Sequence, residues 1–298
     1  MKELGRQLRR LLTPRALAAW CGTDRLSAVA APAVRAAERE LTPAAAPFAL
    51  FVAGSEVPVA LLAALDLEKM EEVGLVEVTN GTARARLALL PLERSLLACD
   101  RLDQPIAPEL VCWPDDSSYH LAKALPPVGG DWLDVACGSA FAPLFVHHPA
   151  CIADLNELAL ARAGLGGLLS DVPLEPYRSD VLADVPARTW DLISCNAPIP
   201  DDPGAPLWRS TTMGFFERLY NSPQAAAARL VVIHAAESAL APLADLPGER
   251  VVVAYTPEPG FAVAWWAPGG ESRYVSTRRP LTDDRPHVTY EDRAAALC

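Results

Sequence analysis

The sequence predicts an α/β protein: an open, mostly parallel sheet carrying a nucleotide-type site, preceded by a smaller α+β domain. Three observations predict it. Leu133–Val135 is a short apolar run of the kind that makes a buried parallel strand, and the small residues Ala136, Cys137, Gly138, Ser139 and Ala140 follow it. Asp154 closes a second apolar run twenty residues after Asp134. Upstream, Asn80-Gly81 joins two strand-like runs, the strongest short-range hairpin signal. The 298 residues suffice for a nucleotide-binding domain plus an appendage, and we place the boundary between residues 1–110 and 111–298.

In chain order, Leu4, Leu8, Leu11 and Leu12 recur at helical spacing, with Lys2, Arg6, Arg9 and Arg10 on other faces. Such a helix packs on its own domain or offers a basic amphipathic surface to an acidic partner or a membrane. Ser27 to Glu40 reads as a helix followed by a loop. Phe48–Ala53 is apolar, Val57–Leu65 reads as a helix opened by Pro58, and Leu67–Val73 as a short helix ended by Gly74. Leu75–Thr79 and Thr82–Leu90 then form the hairpin. Helix, helix, hairpin resembles a winged-helix unit, a fold that implies nucleic-acid binding. Its helix pair, however, carries Glu56, Asp66, Glu68, Glu71 and Glu72 against Lys69 alone, which would repel phosphates. The expectation is a substrate-covering or dimer-forming domain.

Asp116 or Ser117 opens the next helix. Pro126-Pro-Val-Gly-Gly130 leads into the core, where the strand before Ala136 meets a row of small residues. Small residues let the backbone turn sharply and approach a ligand, and the following helix offers its free N–H groups. An acid at the position of Asp154 suits hydrogen bonding to two ribose hydroxyls. Ser179-Asp180-Val181 and Asn196-Ala-Pro-Ile199 follow further predicted strands. Leu230–His234, Arg250–Tyr255 and Phe261–Trp266 read as the last three strands, with a short Thr256–Gly260 link that makes the final one antiparallel. Residues 270–298 read as an extended arm and tail.

These four stretches, in this order, resemble the core of a class I S-adenosylmethionine-dependent methyltransferase. The most similar branch has an Asn-Pro-Pro-aromatic motif and includes release-factor glutamine methyltransferases. The resemblance implies a Rossmann-like seven-stranded class I methyltransferase sheet with the winged-helix-like α+β domain as its N-terminal addition. It implies an enzyme using S-adenosyl-L-methionine. Cofactor-binding positions would be Asp134, Ala136 and Gly138 in the loop, Asp154 and Leu155 at the ribose, Asp180 and Val181 beside the adenine, and Asn196. Asp116, Ser117 and Ser118 stand where the family covers the cofactor's methionine end and could bind its ammonium or carboxylate; helix capping alone would also explain them. Asn196 and Pro198 would be catalytic, and Ile199, with Trp208 and Phe215 in the loop and helix beyond, would contact substrate. The chain departs from the family at Ala136 and Ala140, where the loop has glycines, at Ala197 for proline, and at Ile199 for the aromatic ring. Loss of the ring removes a stacking surface for planar bases. The resulting expectation is N-methylation of a small molecule or of a peptide or protein side chain. Alternatives are O-methylation of a small natural product, with His234 as base, and a cofactor-binding member that transfers no methyl group.

Composition bounds the rest. With 51% hydrophobic and 21% charged residues the chain is ordinary globular material, and no apolar run reaches membrane-span length. The net charge of −11 argues against wrapping a polyanion, so nucleic acid is not the expected partner. Seven scattered cysteines without Cys-x-x-Cys read as reduced thiols of a cytoplasmic protein, and no Cys/His cluster has metal-ligand spacing, so no metal is expected. A homodimer is compatible with the N-terminal domain.

Overall fold

The structure is a computed structural model. It describes residues 1–39, 41–104, 110–127, 129–197, 212–240, 243, 249–254, 261–268 and 273–277. The N-terminal half contains helices α1 (Lys2–Leu11), α2 (Pro14–Cys21), α3 (Ala30–Ala37) and α4 (Ala46–Phe51), strand β1 (Val57–Pro58) and helix α5 (Leu67–Glu72). Strands β2 (Val76–Thr79), β3 (Thr82–Ala85), β4 (Ala88–Pro91) and β5 (Leu96–Cys99) follow. Then come α6 (Asp116–Ala124), β6 (Trp132–Val135), α7 (Phe141–Val146), β7 (Ala150–Asp154), α8 (Glu157–Ser170), β8 (Leu174–Arg178) and β9 (Leu192–Asn196). The last elements are α9 (Thr212–Tyr220), α10 (Pro223–Ala226), β10 (Val231–Ala236), α11 (Glu237–Leu240), β11 (Glu249–Ala254), β12 (Phe261–Ala267) and β13 (Arg273–Thr277).

The chain forms two compact units. One comprises Met1–Asp115, Gly138–His148 and Ala161–Leu174; the other comprises Asp116–Cys137, Pro149–Leu160 and Glu175–Cys298.

In the first unit the leucine stripe of α1 is spent on packing: Leu4, Leu8 and Leu12 are buried. Gly5 lies so close to α8 that a Cβ there would fall onto the Leu169 carbonyl, which also accepts from the Arg9 guanidinium. Thr13 caps α2 by accepting from Ala16 N–H at 3.1 Å, with Pro14 at its first turn. The hairpin forms where expected, with Asn80 and Gly81 both at positive φ (52° and 77°), as a two-residue loop between twisted strands requires.

Two expectations are corrected in this unit. Val57–Leu65 is not one helix. Proline restricts the residue before it to extended backbone, so Val57 and Pro58 pair with β3, and only Val59–Leu62 turns, as a 3₁₀ segment. The second hairpin strand also breaks: β3 ends at Ala85, and Ala88–Pro91 pairs instead with Leu96–Cys99.

The second unit holds all of the large sheet but the first residue of its edge strand. Its strand order is β8-β7-β6-β9-β10-β12-β11-β13. β6, β7, β9 and β10 run parallel to their neighbours among themselves, while β12 is antiparallel to both β10 and β11. Numbered along the chain, the first seven strands of this sheet stand in the order 3-2-1-4-5-7-6 with the seventh reversed. This is the Rossmann-like sheet of the class I methyltransferase fold. An eighth strand is added, because Arg273–Thr277 of the expected arm pairs parallel with β11.

Both faces of the sheet are covered. On one, Leu133, Val135, Ile193, Cys195, Val231 and Ile233 pack in a core with Phe215, Phe216, Leu219 and Tyr220 of α9. On the other, Trp265 donates to the carbonyl of Ala124 in α6 at 3.0 Å, while its neighbour Trp266 meets the Tyr220 ring edge-on. The alternation of the two tryptophans follows the two-residue period of a strand.

Gly5→Ala drives a methyl group onto the Leu169 backbone carbonyl at the α1–α8 contact. Overpacking of this kind costs about 1–3 kcal/mol, and urea unfolding should show a lowered midpoint with an unchanged slope. An unchanged midpoint would mean that α1 does not dock as described.

Candidate functional site

Polar side chains gather at the carboxyl ends of four adjacent parallel strands. They begin with Asp134 in β6, which is 3% exposed. In register opposite it on β9 stands Ser194, whose hydroxyl donates to Asp134 Oδ1 and accepts from Trp132 Nε1 at 2.8 Å. Loss of hydration pushes the Asp134 carboxyl up to about 7; the Ser194 hydrogen bond opposes this, and the charge of Asp154 adds to it.

The chain then turns through residues held in glycine-like conformations. Ala136 has φ +52°, Gly138 φ +52° and Ala140 φ +58°. The two alanines thus adopt the left-handed backbone that glycine takes without strain. Cys137 N–H donates to the Ala153 carbonyl at 3.1 Å, fastening the start of this loop to the end of β7.

At the end of β7, Asp154 is 8% exposed, and its Oδ1 accepts from the N–H of Asn156 at 2.9 Å. Asn156 in turn caps α8 by accepting from Leu158 N–H at 2.9 Å. The carboxylate is therefore held in one orientation by its own turn. Leu155 beside it is 45% exposed, an apolar side chain open at a strand end. The Asp154 carbonyl accepts from Ser179 N–H at 3.0 Å, which fastens the end of β8 in the same way. Asp180 follows, half-exposed, paired with Arg218 of α9 at 3.1 Å, and Val181 is buried with φ +58°.

Asn196 ends β9. Its Nδ2 donates to Ser117 Oγ in the first turn of α6 at 2.8 Å, and its Oδ1 lies 2.9 Å from His234 Nδ1 on β10. Ala197 N–H donates to the His234 carbonyl at 3.0 Å. His234 is 2% exposed, and burial, followed by the nearby His120, lowers its pKa to about 3.

Asp134, Ala136, Asp154, Leu155, Asp180, Val181, Asn196 and Ser117 therefore belong to one unit, at the ends of its adjacent strands or on the helix bonded to them. Gly138 belongs to the other unit, at the start of the segment that leads into α7. Phe215 lies in the apolar core, edge-on to Phe216 at 5.5 Å between ring centroids. Pro198, Ile199 and Trp208 lie outside the described residues. Among the described residues no three His, Cys, Asp or Glu side chains are placed to hold a metal ion.

Sequence reasoning passed over Ser194 and His120. A single serine within the apolar run Leu192–Cys195 was the available signal for the first. His120 stands three residues after Ser117, on the same helical face.

No family model matches the chain, and no curated protein matches it. Solved structures do. One is the T. thermophilus 16S rRNA methyltransferase RsmC in complex with AdoMet and guanosine, at 18% identity and TM-score 0.46, covering 63% of this chain and 46% of that one. Another is a Pyrococcus abyssi tRNA (uracil-54, C5)-methyltransferase in complex with S-adenosyl-L-homocysteine, at 14% identity and TM-score 0.40, covering 64% and 47%. A methyltransferase from Pyrococcus furiosus matches at 12% identity and TM-score 0.40, covering 58% of this chain and 89% of that one. The chain thus spans less than half the length of the first two.

Two expected outcomes test the site's physical description. The folded state raises Asp134 from 3.8 to about 7, so the stability carried by its neutral form is fully present below about pH 4 and lost as pH rises through 7. Asp134→Asn removes that loss. Relative to wild type it should gain stability between pH 4 and pH 8, by up to about 4 kcal/mol. Urea unfolding at the two pH values measures this; a difference that does not change with pH contradicts it. Ala136→Gly should stabilise the chain by about 1 kcal/mol by releasing left-handed strain, and a fall in melting temperature would show that no strain is held there.

Proposed function

We propose that the chain is an S-adenosylmethionine-dependent methyltransferase acting on a nitrogen of a small molecule or of a peptide or protein side chain. One observation carries the reading: the order of the strands. β6 and β9 are neighbours, but the chain leaves β6 towards β7 and β8 on one side and resumes with β9 and β10 on the other. Open α/β sheets bind ligands in the crevice at such a reversal, outside the carboxyl ends of the strands. The loop after Asp134 and the side chain of Asn196 flank that point, with Asp154 and Asp180 on the next two strands out.

The residues present fit the cofactor. Asp154 is a carboxylate already oriented by its own turn, so it can accept from a pair of ribose hydroxyls with little further ordering. Leu155 gives an exposed apolar surface for a purine. Asp180, kept in place by Arg218, can accept from an exocyclic amine. When bound, the cofactor supplies an activated methyl group on a sulfonium. The protein's own task is then to align the acceptor and exclude water. A lone pair of Asn196 Oδ1 can accept from an acceptor N–H and aim the nitrogen's own lone pair.

The state of His234 favours nitrogen over oxygen. Methylating a hydroxyl requires a base to take its proton, and a base whose pKa has fallen to about 3 has little driving force for that step. A neutral amine attacks with its own free lone pair and loses its extra proton to water only after the transfer, so it makes a smaller demand on such a base. Ile199, where the resembling branch has an aromatic ring, offers branched aliphatic contact and no π-face, which supports a non-aromatic acceptor. The first unit, on this reading, covers the acceptor or joins two copies of the chain.

Calorimetry with S-adenosylhomocysteine tests the cofactor site. Asp154→Ala removes charge-assisted hydrogen bonds and should cost roughly 2–4 kcal/mol of affinity, about 30- to 1000-fold. Asp180→Ala should lose less, because the half-exposed acid meets one edge of the base. Unchanged affinity in a folded Asp154→Ala protein would dismiss the site. Methyl-tritiated S-adenosylmethionine, offered with separate panels of amines, guanidines, amides, peptides, phenols and RNA, identifies the acceptor. Label on phenols or RNA alone would overturn the assignment to a small-molecule or peptide nitrogen.

A further inference from the structure

The amide of Asn196 has two ends, and only one suits a partner N–H. An oxygen turned towards the acceptor receives its hydrogen; a nitrogen turned there presents a second donor and repels it. What decides the matter lies on α6 and β10. On the α6 side stand two hydroxyls, Ser117 Oγ at 2.8 Å from Nδ2 and Ser118 Oγ at 3.5 Å, the outer limit of a hydrogen bond. Two acceptor oxygens match the two hydrogens of an amide nitrogen. On the β10 side stands one imidazole nitrogen, His234 Nδ1, 2.9 Å from Oδ1.

That imidazole is itself fixed. Its ring stacks on Phe261 of β12, with centroids 5.9 Å apart and planes 3° from parallel, and on His120 of α6 at 6.5 Å and 19°. β9 and β10 pair in parallel with His234 in register with Asn196, so the two side chains are brought together by the sheet itself. His234 is almost wholly buried, and the ring cannot swing away without opening the layer between α6 and the sheet.

We propose that His234 is a positioning residue for the methyl acceptor: its Nδ1–H donates to Oδ1 of Asn196 and fixes the amide with its nitrogen on Ser117. One lone pair of Oδ1 is then left for an acceptor N–H. The proposal deepens the methyltransferase reading above and rests on it. It also replaces the role of base that the sequence suggested for His234. When the ring is neutral, donation through Nδ1 leaves its lone pair on Nε2. The low basicity of the buried ring keeps it neutral throughout the physiological range. His120 is the titratable side chain stacked on it; β9 and β12 contribute Asn196 and Phe261, which do not titrate.

Nuclear magnetic resonance of the full ¹⁵N-labelled chain tests this without any acceptor. Long-range ¹⁵N–¹H spectra should show His234, assigned by its disappearance in His234→Asn, as the Nδ1–H tautomer with no titration between about pH 5.5 and 8. The Nε2–H tautomer would mean that the amide points the other way, and titration near pH 6 would mean that the ring is not held neutral; either result overturns the proposal. The side-chain amide protons of Asn196 should exchange with water at least about tenfold more slowly than those of exposed Asn80. In His234→Asn, whose amide nitrogen can stand in for Nδ1, that protection should remain. In His234→Leu it should be lost, to within about threefold of Asn80. Equal protection in both variants would reduce His234 to packing. Should His234→Leu not fold, the tautomer in wild type and the protection in His234→Asn still decide. S-adenosylhomocysteine is titrated into the same wild-type sample. No binding there, with the predicted tautomer intact, would remove the methyltransferase reading and leave the hydrogen-bond chain standing.

Discussion

Asp134 is a carboxyl group with almost no access to water, held between two parallel strands by one serine hydroxyl. An unpaired acid in that place would cost several kcal/mol, so its hydrogen bond is obligatory. Ser194 supplies it only because β6 and β9 pair in one register, in which Ser194 stands directly opposite Asp134 and within reach of Trp132. A slip by one residue would turn Ser194 to the other face and leave the acid alone. The polar chain therefore fixes the register, and the register fixes what lies beyond it. Two residues further along β9, on the same face as Ser194, comes Asn196; two residues along from Asp134 comes Ala136. The side chain that would meet an acceptor and the loop that would meet a cofactor are brought side by side by a buried hydrogen bond between their strands.

The same edge is laced together by backbone hydrogen bonds from one strand end to the next. Cys137 N–H reaches the Ala153 carbonyl, Ser179 N–H the Asp154 carbonyl, and Ala197 N–H that of His234. Each bond leaves a side chain at the rim and removes a backbone group that would otherwise need water. The rim is thus built on rigid strands rather than on long loops, which is where precise placement is least costly.

How much of this could be read in the sequence depends on the range of the signal. Strand β6, its small-residue turn, Asp154 and the Asn80-Gly81 turn are local patterns, and each forms at the expected residues. The reversed last strand followed from a short link, Thr256–Gly260, and β12 pairs antiparallel with both neighbours as that implied. Failures came where pairing partners lie far apart in the chain. Nothing near Val57 says that it will meet Ala83, and nothing near Arg273 says that it will meet Glu249. The site shows the same division. Asp134, Asp154 and Asn196 announce themselves as acids and an amide at strand ends. Ser194 matters only through Asp134, sixty residues away, and His234 only through Asn196.

Ala136 and Ala140, at positions where the resembling family has glycines, raise a different question, the shape of the loop. It has kept a glycine's backbone: Ala136 and Ala140 both lie in the left-handed region. An L-residue there costs roughly 1–2 kcal/mol, and burying one methyl group returns about 0.8 kcal/mol. Ala140 is fully buried, so about half of its strain is offset where it arises. Ala136 is only half-buried and recovers less, leaving a small net strain in the turn directly after β6. The substitutions therefore change two methyl groups and leave the path of the chain as glycine would set it. What the two alanines alter is the room beside the loop, not its course.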